Sequence, residues 1–97
     1  PFAEADLLRR IEEALSLAVE AQAQQSQMAT IEANLATLSD RERQVLTAVV
    51  AGKMNKTIAH ELDISIKTVE AHRARVMEKM GADSLAHLIR MITQTEH

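Results

Sequence analysis

Apolar positions recur at helical spacing along almost the whole chain, with only two glycines and one proline to interrupt the run. From Glu4 to about Leu35 neither breaker occurs, which predicts one continuous helix of about 30 residues, roughly 45 Å long and unable to fold back on itself. Its apolar residues fall into two registers. Leu8, Ile11, Leu15, Ala18 and Val19 make one stripe near the start. Ala14, Leu17, Ala21, Gln24, Met28, Ile31, Leu35 and Leu38 make a heptad seam interrupted by Gln24. Three uses fit this pattern: a solvated linker helix whose Ala/Gln middle, Ala21 to Gln27, serves helix propensity, a self-associating coiled coil through Met28, Ile31 and Leu35, or packing against a further domain.

The second half reads as four shorter helices. Ser39-Asp40-Arg41-Glu42 has the form of a capping box, so a helix starts there. Val45, Leu46, Val49 and Val50 form its apolar stripe and Gly52 suits the left-handed position that closes it. Asn55 is placed to cap a short second helix running to Leu62, with Ile58, Ala59 and Leu62 facing inward and Lys56 outward. Asp63-Ile64-Ser65 then predicts a tight turn with an apolar plug and a serine cap, the spacing of a helix-turn-helix. A third helix spans Ile66 to Met80 and ends at Gly81. Val69, Val76 and Met80 share its core face with Arg73 at the edge. Ser84 caps a fourth helix with Leu85, Leu88, Ile89 and Ile92 as its stripe. Part of that stripe closes the small core and any excess is a dimer surface, a role shared in expectation with Met28, Ile31 and Leu35. The expected fold class is therefore all-α: a long linker helix over residues 1–38 and a four-helix domain over residues 39–97.

Charge sharpens this division. The net charge of -3 splits into -4 over residues 1–38 and +1 over residues 39–97, with Lys53 to Lys79 alone at +2. So slight a local excess calls for a dimer or a full-length partner to multiply phosphate contacts. The absence of cysteine gives no sign of an oxidising compartment, and no apolar run approaches a membrane-spanning length, so the expected setting is the cytoplasm, with no membrane partner. A chain this short, without a nucleophile-base pair or glycine-rich phosphate loop, is not read as an enzyme. His60, His87 and His97 are too scattered for zinc, and neither metal nor cofactor is expected.

The outer face of the third helix carries the candidate chemistry. Lys67, Ala71, Ala74 and Glu78 lie opposite the core, flanked by Glu70 on one side and by Thr68 and Arg75 on the other. A small centre between long polar groups lets a helix backbone approach base edges in a major groove while its flanks reach phosphates, although a solvated helix has the same profile. His72 sits between core and surface, readable as a packed histidine or a phosphate contact.

Leu38-Ser39-Asp40-Arg41-Glu42-Arg43-Gln44-Val45-Leu46, Gly52, Asn55-Lys56-Thr57-Ile58-Ala59, Ile64-Ser65, Lys67-Thr68-Val69, His72, Arg75-Val76-Met77 and Lys79-Met80 together strongly resemble the LuxR/FixJ-type helix-turn-helix. The resemblance takes in capping box, turn, third helix and fourth helix in order. Pro1-Phe2, followed by Leu7-Leu8 and an acidic amphipathic helix, is similar to the end of a response-regulator receiver domain. The resemblance thus implies a last receiver helix, a linker and the DNA-binding output domain of a two-component transcriptional regulator. Its activity would be gated by phosphorylation of a receiver whose aspartate is not among these residues; Asp6, Asp40, Asp63 and Asp83 fall outside any such pocket. A sensor kinase would act only through that receiver. By the same resemblance Lys67, Glu70, Ala71 and Ala74 face bases, while Asn55, Lys56, Thr68, His72 and Arg75 occupy or neighbour positions that grip phosphates. Glu70 departs from the lysine many relatives carry; it can accept from a cytosine amino group or repel phosphate. The expected partners are double-stranded DNA, a second copy of the chain and RNA polymerase. Two rival readings remain: a sigma-factor region that binds the polymerase core, and an oligomerisation module whose helix-turn-helix is idle.

Overall fold

The computed structural model describes residues 2–96, so Pro1, with the Pro1-Phe2 junction expected from the resemblance, and His97 lie outside it. Five helices follow one another: α1 (Phe2–Ala36), α2 (Asp40–Val50), α3 (Asn55–Leu62), α4 (Ile66–Met80) and α5 (Leu85–Thr95), with no strand among the described residues. The molecule measures 72 × 22 × 20 Å because α1 projects far beyond the body formed by the other four.

Local chemistry sets most boundaries. At Ser39 both halves of the capping box form: Glu42 N–H donates to Ser39 Oγ at 3.1 Å and Ser39 N–H to Glu42 Oε1 at 2.9 Å. Ser65 Oγ accepts from Thr68 N–H at 3.0 Å and Ser84 Oγ from His87 N–H at 3.1 Å, starting α4 and α5 in the same way. Gly81 closes α4 at φ 67°, a left-handed conformation that glycine adopts without steric cost.

One expectation is corrected here. Asn55 does not cap α3; the N-cap is Met54, which supplies no side-chain hydrogen bond, and Asn55 is the first helical residue. Its amide is engaged elsewhere, by Arg73.

The core gathers Val45, Leu46 and Val49 of α2, Ile58 and Ala59 of α3, Val69, Val76 and Met80 of α4, and Leu88 of α5. It also reaches back across the expected 38/39 division, because Ile31 and Leu38 are buried in the same cluster and Leu35 packs against it. The lower end of α1 lies on α5 and α4. Four of the seven residues of the expected dimer set therefore pack inside the protomer. Ile31 and Leu88 are 6% and 1% exposed, and Leu35 and Ile92 pack on the core, with Met28 half-buried above them. A helix stripe must first cover its own domain's core, and this one is small enough to need these residues. Only Leu85 and Ile89, at 43% and 36%, remain open to a second copy.

Two cations fasten the end of α1. Arg43 Nη2 donates to Leu35 O at 2.9 Å, and Lys79 Nζ donates to Thr37 O at 3.3 Å while pairing with Glu42 Oε1 at 2.7 Å. α1 has no basic residue of its own in the last turn, and α2 supplies a cation to its Leu35 carbonyl while α4 supplies one to the Thr37 carbonyl just beyond it.

Candidate nucleic-acid interface

The turn between α3 and α4 is three residues long and is held from three sides. Asp63 takes the left-handed conformation at φ 57°, tolerable for a short polar side chain. Ile64 N–H donates to Ala59 O at 3.0 Å while its side chain packs on the core. Ser65 caps α4 and its hydroxyl shares a further hydrogen bond of 2.8 Å with that of Thr68. The geometry fixes the direction of α4 relative to α3 through backbone and plug together, leaving no free hinge between them.

On α4 the burial pattern follows the helical wheel. Val69, Val76 and Met80 are sealed in, while Lys67, Thr68, Glu70, Ala71, Ala74, Arg75 and Glu78 are exposed. All four residues expected to face bases, Lys67, Glu70, Ala71 and Ala74, thus share one open surface. Among those expected to reach phosphates, Lys56, Thr68 and Arg75 are exposed, whereas Asn55 and His72 are half-buried. The Thr68 hydroxyl is already tied to Ser65. His72 turns Nδ1 inward, where it finds no hydrogen-bond partner among the described residues, so only its other ring nitrogen is available to an outside group.

Charges are distributed unevenly over this face. Lys53 is neutralised by Glu61 at 2.8 Å, but among the described residues no carboxylate lies within ion-pair distance of Lys56, Lys67 or Arg75. Lys67 and Arg75 share the exposed surface of α4 with Ala71 and Ala74, and Lys56 is exposed on α3.

Behind the interface the electrostatics are of the opposite kind, with a carboxylate enclosed. The Glu42 side chain is 3% exposed and Lys79 lies against it. The Lys79 hydrogen bond first, then the Ser39 backbone N–H, hold the Glu42 carboxyl down at about 2 against the opposing effect of burial.

Sequence reasoning placed Arg73 only at the edge of the core, read Arg43 as a solvated partner of Asp40 and Glu42, and gave Lys79 no structural role. Arg73 Nη1 donates to Asn55 Oδ1 at 2.8 Å, bridging α4 and the start of α3. A cation beside a core stripe was the available signal for Arg73; nothing local pointed to Arg43 or Lys79, whose acceptors belong to α1, to the link after it and to α2. Among the described residues no three His, Cys, Asp or Glu side chains converge as a metal site requires, and no helix is long and apolar enough to cross a membrane.

A core of four short helices, a rigid three-residue turn and an open face on the second helix of that pair define a helix-turn-helix module. Residues 36–92 match the bacterial regulatory proteins of the luxR family (GerE), and the chain belongs to that family. It is 55% identical over 91 residues to the transcriptional regulatory protein FixJ of Rhizobium meliloti (strain 1021), a match that takes in 94% of this chain and 45% of that protein. The fold superposes on full-length FixJ from B. japonicum with a TM-score of 0.73 at 43% identity, covering 93% of this chain and 44% of that one. Against the C-terminal transcriptional activator domain of Sinorhizobium meliloti FixJ the TM-score is 0.58 at 66% identity, covering 66% of this chain and 81% of that domain. The chain thus spans less than half the length of the full-length relatives it matches, which are FixJ-type response regulators.

Proposed function

We propose that this chain binds duplex DNA in the bacterial cytoplasm as the effector part of a two-component transcriptional regulator, with α4 in the major groove. The observation that carries this reading is the exposed, small-centred face of α4, flanked by cations that have no ion-pair partner among the described residues. Lys67, Glu70, Ala71 and Ala74 meet base edges. Asn55, Lys56, Thr68, His72 and Arg75 meet phosphates and set the register of the helix. Phosphorylation by a sensor kinase acts on a receiver domain of the intact regulator and governs access to this module, a reading supported by the FixJ-type response regulators among its relatives.

Dimerisation supplies the second half-site, because one module offers few phosphate contacts. Leu85 and Ile89 on α5 are the open apolar residues suited to it. Once bound, the dimer makes its contact with RNA polymerase.

The test is selection of a random duplex pool by this chain across a salt series. A two-fold motif is expected, with half-sites about one helical turn apart, lost in Lys67→Ala. Absence of any salt-dependent retention would sink the reading. An Ile89→Asp variant is expected to sediment as a monomer and to keep only weak, motif-free binding.

A further inference from the structure

Building on the DNA-binding reading above, we propose that Arg73 is a positioning residue: it sets the orientation of the Asn55 amide so that this side chain offers only hydrogen-bond donors to the DNA backbone. A guanidinium carries donors and no acceptor, so the amide atom 2.8 Å from Arg73 Nη1 has to be the oxygen. Arg73 therefore decides which way round the Asn55 amide sits. Its nitrogen, with two N–H groups, is turned to the other side, where it has no partner among the described residues and is not sealed from solvent.

Left free, an asparagine amide at a half-buried position rotates and shows its oxygen to the outside as readily as its nitrogen. An outward oxygen repels a phosphate; an outward NH2 binds it. Arg73, meanwhile, is half-buried and lines a small gap at the edge of the core with Val49, Val76 and Met77. Arg73 makes no ion pair among the described residues that would draw it away. The recognition helix thereby controls a contact made by the helix before it, and the two halves of the motif engage DNA as one unit.

A double-mutant cycle separates this role from a merely structural brace. Binding of the chain to a fluorescently labelled, mixed-sequence DNA duplex is followed across a salt series, with thermal unfolding recorded for each variant. Asn55→Ala is expected to weaken binding on the order of tenfold and to leave the slope of log K against log salt unchanged, because a neutral amide releases no counterion. In an Arg73→Met background, which keeps the packed stem, the same Asn55→Ala change is expected to have little further effect. Arg73→Lys, retaining a donor, is expected to restore most of the affinity. An Asn55→Ala loss of equal size in both backgrounds overturns the role given to Arg73 while leaving DNA binding intact. Failure of the unmodified chain to bind the duplex at all overturns both.

Discussion

Along α1 the fate of apolar side chains changes near Met28. Toward the N-terminus Leu7, Leu8, Leu15, Leu17 and Val19 are 59–66% exposed, whereas beyond Met28 Ile31 and Leu38 are 6% exposed. The same helix, with the same alternation of apolar and polar positions, is a bare rod in one stretch and a wall of the core in the other. Periodicity identifies which face of a helix is apolar; what covers that face depends on which other elements come within reach. Here α5 and α4 cover the lower turns and end there. The difference extends to polar groups. The Leu35 carbonyl of α1 is bonded by Arg43 and the Thr37 carbonyl just after it by Lys79, and Glu42 is locked between Ser39 and Lys79. The carboxylates of Glu4, Glu12, Glu13 and Glu20 on the rod stand in solvent.

The largest expected effect contrasts two truncations. Ile58→Ala, at a side chain with no exposure, is expected to cost about 2–5 kcal/mol, and Leu17→Ala on the rod to stay within about 0.5 kcal/mol. Urea unfolding measures both, and equal costs would break the comparison. Next in size is Ile31→Ala, at the junction, with a cost of about 2 kcal/mol expected. If the lower turns of α1 belong to the cooperative unit, native-state hydrogen exchange will show amides of residues 30–36 protected to the level of α4 and those of residues 6–22 exchanging far faster. Protection that is uniform along α1 would mean the rod is stabilised by something other than contact with α4 and α5. Smaller again is Ser65→Ala, which removes the cap of α4 and the partner of the Thr68 hydroxyl. A loss of about 1 kcal/mol is expected, accompanied by faster exchange of the Thr68 amide.

How much of this was legible in the sequence follows from the range of each interaction. The five helices, the capping box at Ser39, the serine cap at Ser65, the left-handed glycine at Gly81 and the open face of α4 are set by residues close together in the chain, and those were readable. The assignment of Asn55 as a cap failed because a residue suited to capping is equally suited to accept from a distant arginine; Arg73 lies 18 positions away. How much of the α5 stripe the protomer itself uses was not legible for a related reason. A stripe such as Leu88 and Ile92 shows that α5 has an apolar face, but the share consumed by Ile31 and Leu35 depends on where α1 lands. The base and phosphate contacts were assigned through family resemblance, and the exposure of Lys67, Glu70, Ala71 and Ala74 is compatible with that assignment while the duplex selection remains its test.

The last effect is a pH dependence read in acid, at the buried Glu42 carboxylate of the body. Glu42 has its folded-state carboxyl lowered to about 2 from an ordinary 4.5, chiefly by the Lys79 hydrogen bond. A depressed carboxylate contributes stability that is fully present above the ordinary value and is lost as pH falls through the folded one. Unfolding free energy is therefore expected to be level in this respect above pH 4.5 and to decline from there toward pH 2, as protonation of Glu42 weakens its hold on Lys79 and on the Ser39 backbone. Glu42→Gln keeps an acceptor for both donors but cannot titrate. Its acid limb is expected to be shallower by up to one proton, measured by urea unfolding at a series of pH values. Identical limbs for Glu42→Gln and the unmodified chain would show that the Lys79 bond does not hold in solution. The end of α1 would then be fastened by its apolar contacts and by Arg43.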